Sequence, residues 1–378
     1  MAVCIGCKQS DIQSDDFITV DVMANYPKKE LILQDFMDVE YIPLETNNDF
    51  VNQGIVMDIG EKFIIIVNRI NDGDIFLYDR NGKALRKINR FGQGGEEYTN
   101  ITSIILDEDD DEMFINQRSE RKILVYDLYG NFKRSFNHKD SVMYRRVFKY
   151  DKDNLICDDG SYHTEGERNE QSFFIISKKD GSIVSEIKIP FKKEKSTLLM
   201  KTDENRMEIV GFSYYSIISH RGNWMLTVPS SDTIFECLPD QNIIPFIVRK
   251  PSIQSMDPEV FLHIGILTDY YYFMSIVTKE YDFVKGGNFP AKHLIYDRQE
   301  KKIYEYSLIN DDFIKKRNII LDISGAKSND EILFSTKIET DYLIETYRKG
   351  ELKGKLKEIA ADLDEDSNPV IMIIKHKL

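Results

Sequence analysis

No stretch of this 378-residue chain reaches the ~18–20 apolar residues that a membrane-spanning helix needs. Cysteine is scarce. Cys4 and Cys7 sit at the extreme N-terminus, and Cys157 and Cys237 lie far apart, so there is neither a disulfide framework nor zinc-finger spacing. Two buried free thiols are expected at Cys157 and Cys237, with a bridge between them as the alternative. The histidines His138, His163, His220, His263, His293 and His376 never fall within metal-ligand spacing of one another. A Gly-x-Ser-x-Gly nucleophile elbow is missing, as are sialidase-type Asp boxes. The glycine cluster Gly92-Gln-Gly94-Gly95 is followed by Glu-Glu-Tyr-Thr instead of Lys-Ser/Thr and a helix, so it reads as a turn between strand-forming units and not as a phosphate loop. Positive charge is also short. The formal net charge is −14, which repels phosphate backbones and argues against a general nucleic-acid role. The basic runs Lys192–Lys195 and Lys315–Arg317 are brief and read as solvated loops. On these grounds no catalytic residue, metal ligand or cofactor is assigned.

What the chain does contain is strand-forming sequence that repeats. Tyrosine (20) and phenylalanine (22) supply nearly all the aromatic content, and both suit a packed, pleated surface. Ile75-Phe-Leu-Tyr-Asp79-Arg-Asn-Gly82 recurs as Ile123-Leu-Val-Tyr-Asp127-Leu-Tyr-Gly130 and again as Phe173-Phe-Ile-Ile-Ser-Lys-Lys-Asp-Gly181. Weaker copies stand at Thr233–Asp240, His293–Glu300 and Tyr342–Gly350. Gly82 and Gly350 bracket five intervals of about 54 residues, which fits six four-stranded blades of a β-propeller. Each apolar run is continuous, as for a strand buried on both faces. The Asp-x-x-Gly that follows supplies a tight turn, and the next strand alternates, as in Ile183–Ile189. Lys62–Val67, Glu112–Asn116 and Trp224–Val228 read as preceding strands of the same blades.

Two helical stretches are expected. One opens at Asp257-Pro258-Glu259 and runs to about His263. The other carries Leu352, Leu356, Ile359 and Leu363 at helical spacing, before a last strand at Pro369–Lys375. The strand Val39–Leu44 has no partner of its own, so it is expected to complete the last blade and close the ring. The segments Val39-Glu-Tyr-Ile-Pro-Leu-Glu-Thr46, Arg90-Phe-Gly-Gln-Gly-Gly-Glu-Glu-Tyr98, Ser231-Asp-Thr-Ile-Phe235 and Asn368-Pro-Val370 resemble the six-bladed propeller lipoproteins of Bacteroidetes, themselves similar to NHL-type propellers. Gly94-Gly95 stands where that family usually has Pro-Gly. The resemblance implies an all-β propeller and a place in the cell envelope. It supplies no catalytic residues.

At the N-terminus, Ile5-Gly6-Cys7 has the order in which a bacterial lipoprotein signal is cleaved and its cysteine lipidated. Cys7 is therefore expected to be the lipidated mature N-terminus. The basic and apolar regions of such a signal are not in the sequence, so the reading requires an in-frame upstream leader. Residues 1–16 are read as signal remnant and tether, and residues 17–378 as one propeller domain. An outer-membrane or periplasmic lipoprotein is therefore expected, with a cytoplasmic protein as the alternative, and because Asp11, Asp15 and Asp16 resemble the sorting signals of surface lipoproteins in Bacteroidetes, display on the cell surface is a secondary expectation. Membrane contact would run only through the lipid.

The acidic runs Asp107–Glu112 and Asp362–Asp366 read as solvated turns, since the first departs from an EF-hand loop at its sixth and twelfth positions. Phe212–Tyr215 and Tyr270–Phe273 are aromatic clusters that pack between blades or line a ligand funnel. The expected function is an envelope-anchored binding or scaffold module for a glycan or protein ligand. The alternative is a metal-dependent hydrolase or lactonase with its site on the propeller axis.

Overall fold

A run of apolar residues with no polar alternation has no face to offer water, so it is stable only between two packed layers. In the computed structural model, which describes residues 17–68, 72–161, 168–203, 206–321 and 331–377, each such run is an interior strand of a propeller blade. The described strands make six blades and one separate two-stranded hairpin. Blade 1 is Ile55–Ile59, Phe63–Val67, Asp74–Asp79 and Ala84–Asn89. Blade 2 is Ser103–Asp107, Glu112–Gln117, Lys122–Asp127 and Phe132–Asn137. Blade 3 is Tyr144–Lys149, Asn154–Asp159, Glu170–Ser177 and Ile183–Pro190. Blade 4 is Ile217–His220, Asn223–Leu226, Thr233–Cys237 and Ile243–Lys250. Blade 5 is Val260–Leu267, Tyr271–Thr278, Ala291–Asp297 and Lys302–Ile309. Each is antiparallel in sequence order.

Blade 6 is built differently. Ile332–Ile338 pairs with the C-terminal Val370–His376, which pairs with Met37–Pro43 from the start of the chain. This is the expected closure, with Ile42 opposite Ile371 and Tyr41 opposite Met372. The N-terminus does more than close the ring. Ile18–Asp21 adds a fifth strand, parallel, to the edge of blade 4, and Lys28–Ile32 does the same on blade 5. The segment thus straps three successive blades, covering edges that would otherwise carry unpaired backbone groups.

Two sequence expectations are corrected. The stretch Tyr342–Gly350 is not a sixth strand and turn but the helix Thr340–Arg348. Leu343, Ile344 and Thr346 are buried, while Tyr342, Glu345 and Tyr347 are exposed, which is a helical and not an alternating pattern. Gly350 keeps its positive φ (69°) because it ends a helix, where its N–H bonds the Tyr347 carbonyl. The second correction concerns Asp257-Pro258-Glu259. The residues behind it, Val260–Ile264, are buried at every position and form the first strand of blade 5, with a short 3-10 turn at Ile253–Ser255 upstream. A cap signal without an amphipathic stripe behind it does not make a helix. The expected C-terminal helix is present at Gly354–Ala361, with Leu356 and Ile359 buried against blade 6.

The first strands of neighbouring blades lie side by side around the axis, including blade 6 against blade 1 and excepting the pair of blades 3 and 4, so they form the wall of the central channel. Among the described residues no helix is long and apolar enough to cross a membrane.

Candidate functional site

The inner strands of blades 1 to 4, with the turns that follow them, surround a cavity of about 890 Å³. Its lining includes Asp58, Ser103, Glu108, Arg118, Arg145, Arg146, Lys149, Tyr150, Tyr215 and Trp224. The inner-strand positions among them, such as Asp58, Ser103, Arg145, Arg146 and Lys149, stay partly exposed because an inner strand has one edge toward the channel and no further strand to pair with. In Ile55–Ile59 only Ile59 is fully buried. In Tyr144–Lys149 only Tyr144 and Val147 are, and the positions between carry arginine, phenylalanine and lysine.

The acidic groups of the lining face inward to protein donors. Glu108 accepts from the backbone N–H groups of Glu61, Lys62 and Phe63, so its carboxylate from blade 2 caps a turn of blade 1. Asp58 accepts from the N–H of Leu106 at 2.8 Å. Asp109 takes the Lys149 ammonium at 2.7 Å, and that hydrogen bond and charge hold its carboxyl below the usual range. Lys149 also reaches the buried Asp107 at 2.7 Å, where Lys178 arrives at 2.6 Å. Burial opposes the Lys149 charge, but the two carboxylates outweigh it and raise its pKa.

The arginines differ among themselves. Arg145 donates twice to the buried Asp158, at 3.0 and 2.7 Å, and once to the Tyr214 hydroxyl at 2.9 Å. Ser216 donates to the same carboxylate at 2.6 Å, so this network ties blade 3 to the entry of blade 4. Burial alone would disfavour the Arg145 charge; Asp158 and Tyr214 more than offset it and raise its pKa. Arg146 donates to Asp158 only through its backbone N–H. Its guanidinium lies 4.1 Å above the Tyr215 ring and meets no carboxylate among the described residues. Beside it Tyr150 stacks on Trp224 at 5.9 Å.

The residues singled out from sequence fall into separate places. Cys7, the tether 1–16 and His163 lie outside the described residues. Cys157 and Cys237 are buried free thiols; burial pushes Cys157 well up and Cys237 up to about 11, which keeps both unreactive. The Gly92–Gly95 turn does join blades, and Glu97 accepts the Gly94 N–H within it. The acidic run Asp107–Glu112 is a hairpin turn as expected, but it is not simply solvated. Asp107 and Asp109 pair with lysines of blade 3, and Glu112 pairs with Lys133 and Arg134. The Asp362–Asp366 loop is exposed, and so is much of the basic run Lys192–Lys195, although Lys195 pairs with Glu259. Lys315 and Lys316 pair with Glu351 and Glu30.

The aromatic clusters divide. Phe212 packs on Phe261, His263 and Phe289, Tyr214 is buried beside Arg145, and only Tyr215 reaches the cavity. Tyr272 and Phe273 are core, and Tyr270 is exposed on the outside. Among the described residues no three His, Cys, Asp or Glu side chains gather to hold a metal ion: His138 bonds Asn116, His293 lies 3.1 Å from Ser275, His263 is enclosed by aromatic rings, and His220 is near His376 and Asp269. Sequence reasoning missed Arg145 and Arg146. The signal was there, since two adjacent arginines between Tyr144 and Val147 in a strand at the blade's inner edge require an unusual place to go.

A family model described as a six-bladed β-propeller, DUF5128, matches residues 8–322. No curated protein matches the sequence. In structure the chain is similar to a presumed exported protein of Bacteroides fragilis, at 14% identity and TM-score 0.60 over 93% of this chain and 100% of that one. It is also similar to a member of the DUF4221 family from Bacteroides vulgatus, at 10% identity and TM-score 0.51 over 90% and 97%. At such identities the likeness is one of fold.

Proposed function

The chain belongs to the DUF5128 family of six-bladed β-propellers, and from that premise we propose that it is a non-catalytic glycan-binding module of a bacterial cell envelope, anchored through Cys7. The observation that carries the reading is the axial cavity of about 890 Å³, walled by the inner strands of blades 1 to 4. That is the size range of small-ligand sites. It is recessed between strands, so an extended saccharide fits its shape better than a folded protein surface does. Tyr150, Tyr215 and Trp224 lend it aromatic character, and Ser103 and Ser219 add hydroxyls. A hydrolase working through an axial ion would need converging carboxylates free to ligate. Here Glu108 caps backbone N–H groups, Asp58 accepts another and Asp109 holds Lys149, which favours binding over hydrolysis. The exported description of the Bacteroides fragilis relative supports the envelope assignment.

The test is a glycan array followed by amide-exchange mapping. Bound glycan is expected to protect Ser103–Asp107 and Tyr144–Lys149. Protection confined to outer strands, or no glycan bound at all, would refute the reading. The anchor is tested separately by mass spectrometry of the native N-terminal peptide. An acylated Cys7 is expected, and an unacylated cytosolic protein would end that part of the proposal.

A further inference from the structure

We infer that the axial cavity takes a carboxylate-bearing saccharide and that Arg146 anchors its charge, an inference that rests on the glycan reading above and narrows it. A chain of formal charge −14 would line an average recess with acid. This recess holds six lysines and arginines against five carboxylates. Four of the five carboxylates are engaged: Glu108 and Asp58 by backbone N–H groups, Asp109 by Lys149, and Asp151 by the N–H groups of Asp153 and Asn154; the fifth, Glu61, lies exposed at the turn. Arg145 is committed to Asp158.

Among the lining arginines Arg146 is the exception. It is half-buried, its guanidinium is held 4.1 Å above the Tyr215 ring, and its side-chain N–H groups meet no acceptor among the described residues. A planar guanidinium stacked on an aromatic face has lost rotational freedom before any ligand arrives, and its fork of donors matches a carboxylate with two parallel bonds. A partly desolvated cation with unfilled donors costs stability, so a partner from outside recovers what the fold leaves unmet. In the same lining the Ser103 hydroxyl is buried and has no hydrogen-bond partner, and a hydroxyl that both donates and accepts suits the hydroxyls of a sugar. Arginine for the carboxylate and a spare hydroxyl for the ring together describe a uronate or a sialate better than a neutral sugar.

The experiment is calorimetric titration of the full chain with oligosaccharides bearing uronate or sialate, with the same compounds as methyl esters, and with tetraglutamate. The acidic sugars are expected to bind, more weakly as ionic strength rises. Methyl esterification should weaken binding about tenfold or more, the scale of one charge-assisted contact. Arg146→Gln should do the same, and Arg146→Lys should fall between, because it keeps the charge and loses the fork. Equal binding of acid and ester, or an unaffected Arg146→Gln protein, would overturn the charge anchor while the glycan reading stands. Binding of no saccharide at all would remove both. Arg146-dependent binding of tetraglutamate alone would make the cavity a peptide site and overturn the inference. If Arg146→Gln fails to fold, the ester comparison and the salt series on the unaltered protein still decide.

Discussion

Asn368 uses every polar atom of its side chain at the joint between blade 6 and blade 1. Its amide nitrogen donates to the carbonyls of Glu45 and Phe50, at 3.0 and 2.7 Å, and its amide oxygen accepts the Asn52 N–H at 2.8 Å. The residue is buried, so these groups have no water to fall back on. Each buried partner left unpaired costs about 1–3 kcal/mol, and Asn368→Ala is expected to lower stability by about 3 kcal/mol in urea unfolding, without a change in slope. Asp107 acts similarly between blades 2 and 3, where it is wholly buried between Lys149 and Lys178. Asp107→Asn leaves the Lys178 ammonium, itself only 6% exposed, without its charge partner. A loss of about 3–5 kcal/mol is expected. A loss under about 1 kcal/mol on the same urea curve would mean that the pair contributes no more than a surface ion pair does.

At the scale of the element, one turn recurs with changing residues. Asp79 accepts the N–H groups of Asn81 and Lys83, and Gly82 takes φ +83°, with the Pro43 carbonyl where a Cβ would stand. In blade 4 the glycine is replaced, yet the chain still turns: Gln241 adopts φ +69° and bonds the Leu238 carbonyl. An L-residue pays about 1–2 kcal/mol in that region, partly offset by the chain entropy glycine loses. Gln241→Gly is therefore expected to raise stability by about 0.5–1 kcal/mol, whereas Gly82→Ala should lower it. Thermal unfolding of both variants checks the sign. The N-terminal strap is the other element with its own test. Removing residues 17–36 strips parallel strands from blades 4 and 5 and takes away the buried Val20, Val22, Leu31, Leu33 and Phe36. At about 1.5–3 kcal/mol per buried apolar side chain the loss is severe, and the bared edges should drive self-association. Light scattering of the truncated chain should show oligomers; a stable monomer would contradict the assignment.

Across the whole molecule, three histidines buried among the described residues, on different blades, contribute to the response to acid. Burial holds His138 and His220 down to about 4 and His263 down to about 3, with Arg121, Arg221 and Arg249 respectively adding to the effect. At His138 the reason is visible: the ring accepts the Tyr144 N–H at Nδ1, so Nε2 carries the proton toward Asn116, and no place remains for a second. Their folded pKa values lie below the ordinary 6.5, so the unfolded chain binds more protons as pH falls. The stability they contribute is complete above pH 6.5 and is lost between there and pH 4. Each contributes a slope of about 1.4 kcal/mol per pH unit, or about 4 for the three together. Urea midpoints measured from pH 7.5 to 5 should fall accordingly, and His263→Phe should remove about a third of the slope. A flat profile would mean that these rings are hydrated or charged.

The blade strands, their tight turns and the closing role of Val39–Leu44 were legible in the sequence because they rest on local signals. A continuous apolar run, an Asp followed by Gly and a strand without a partner each express short-range chemistry. Six blades form although the sixth copy of the repeat is a helix. A Gly at positive φ ends a helix as readily as it makes a hairpin, and only packing against blade 6 decides that Tyr342–Gly350 coils. The same holds at Val260–Leu267, where neighbouring blades on both faces override a cap-like start. The site was not legible for a stronger reason. Asp58, Glu108, Arg146 and Tyr215 come from four blades and meet only because the ring closes. Which carboxylates are already bonded and which arginine is left over is a property of that closure, since charge pairing across blades has no trace in sequence spacing.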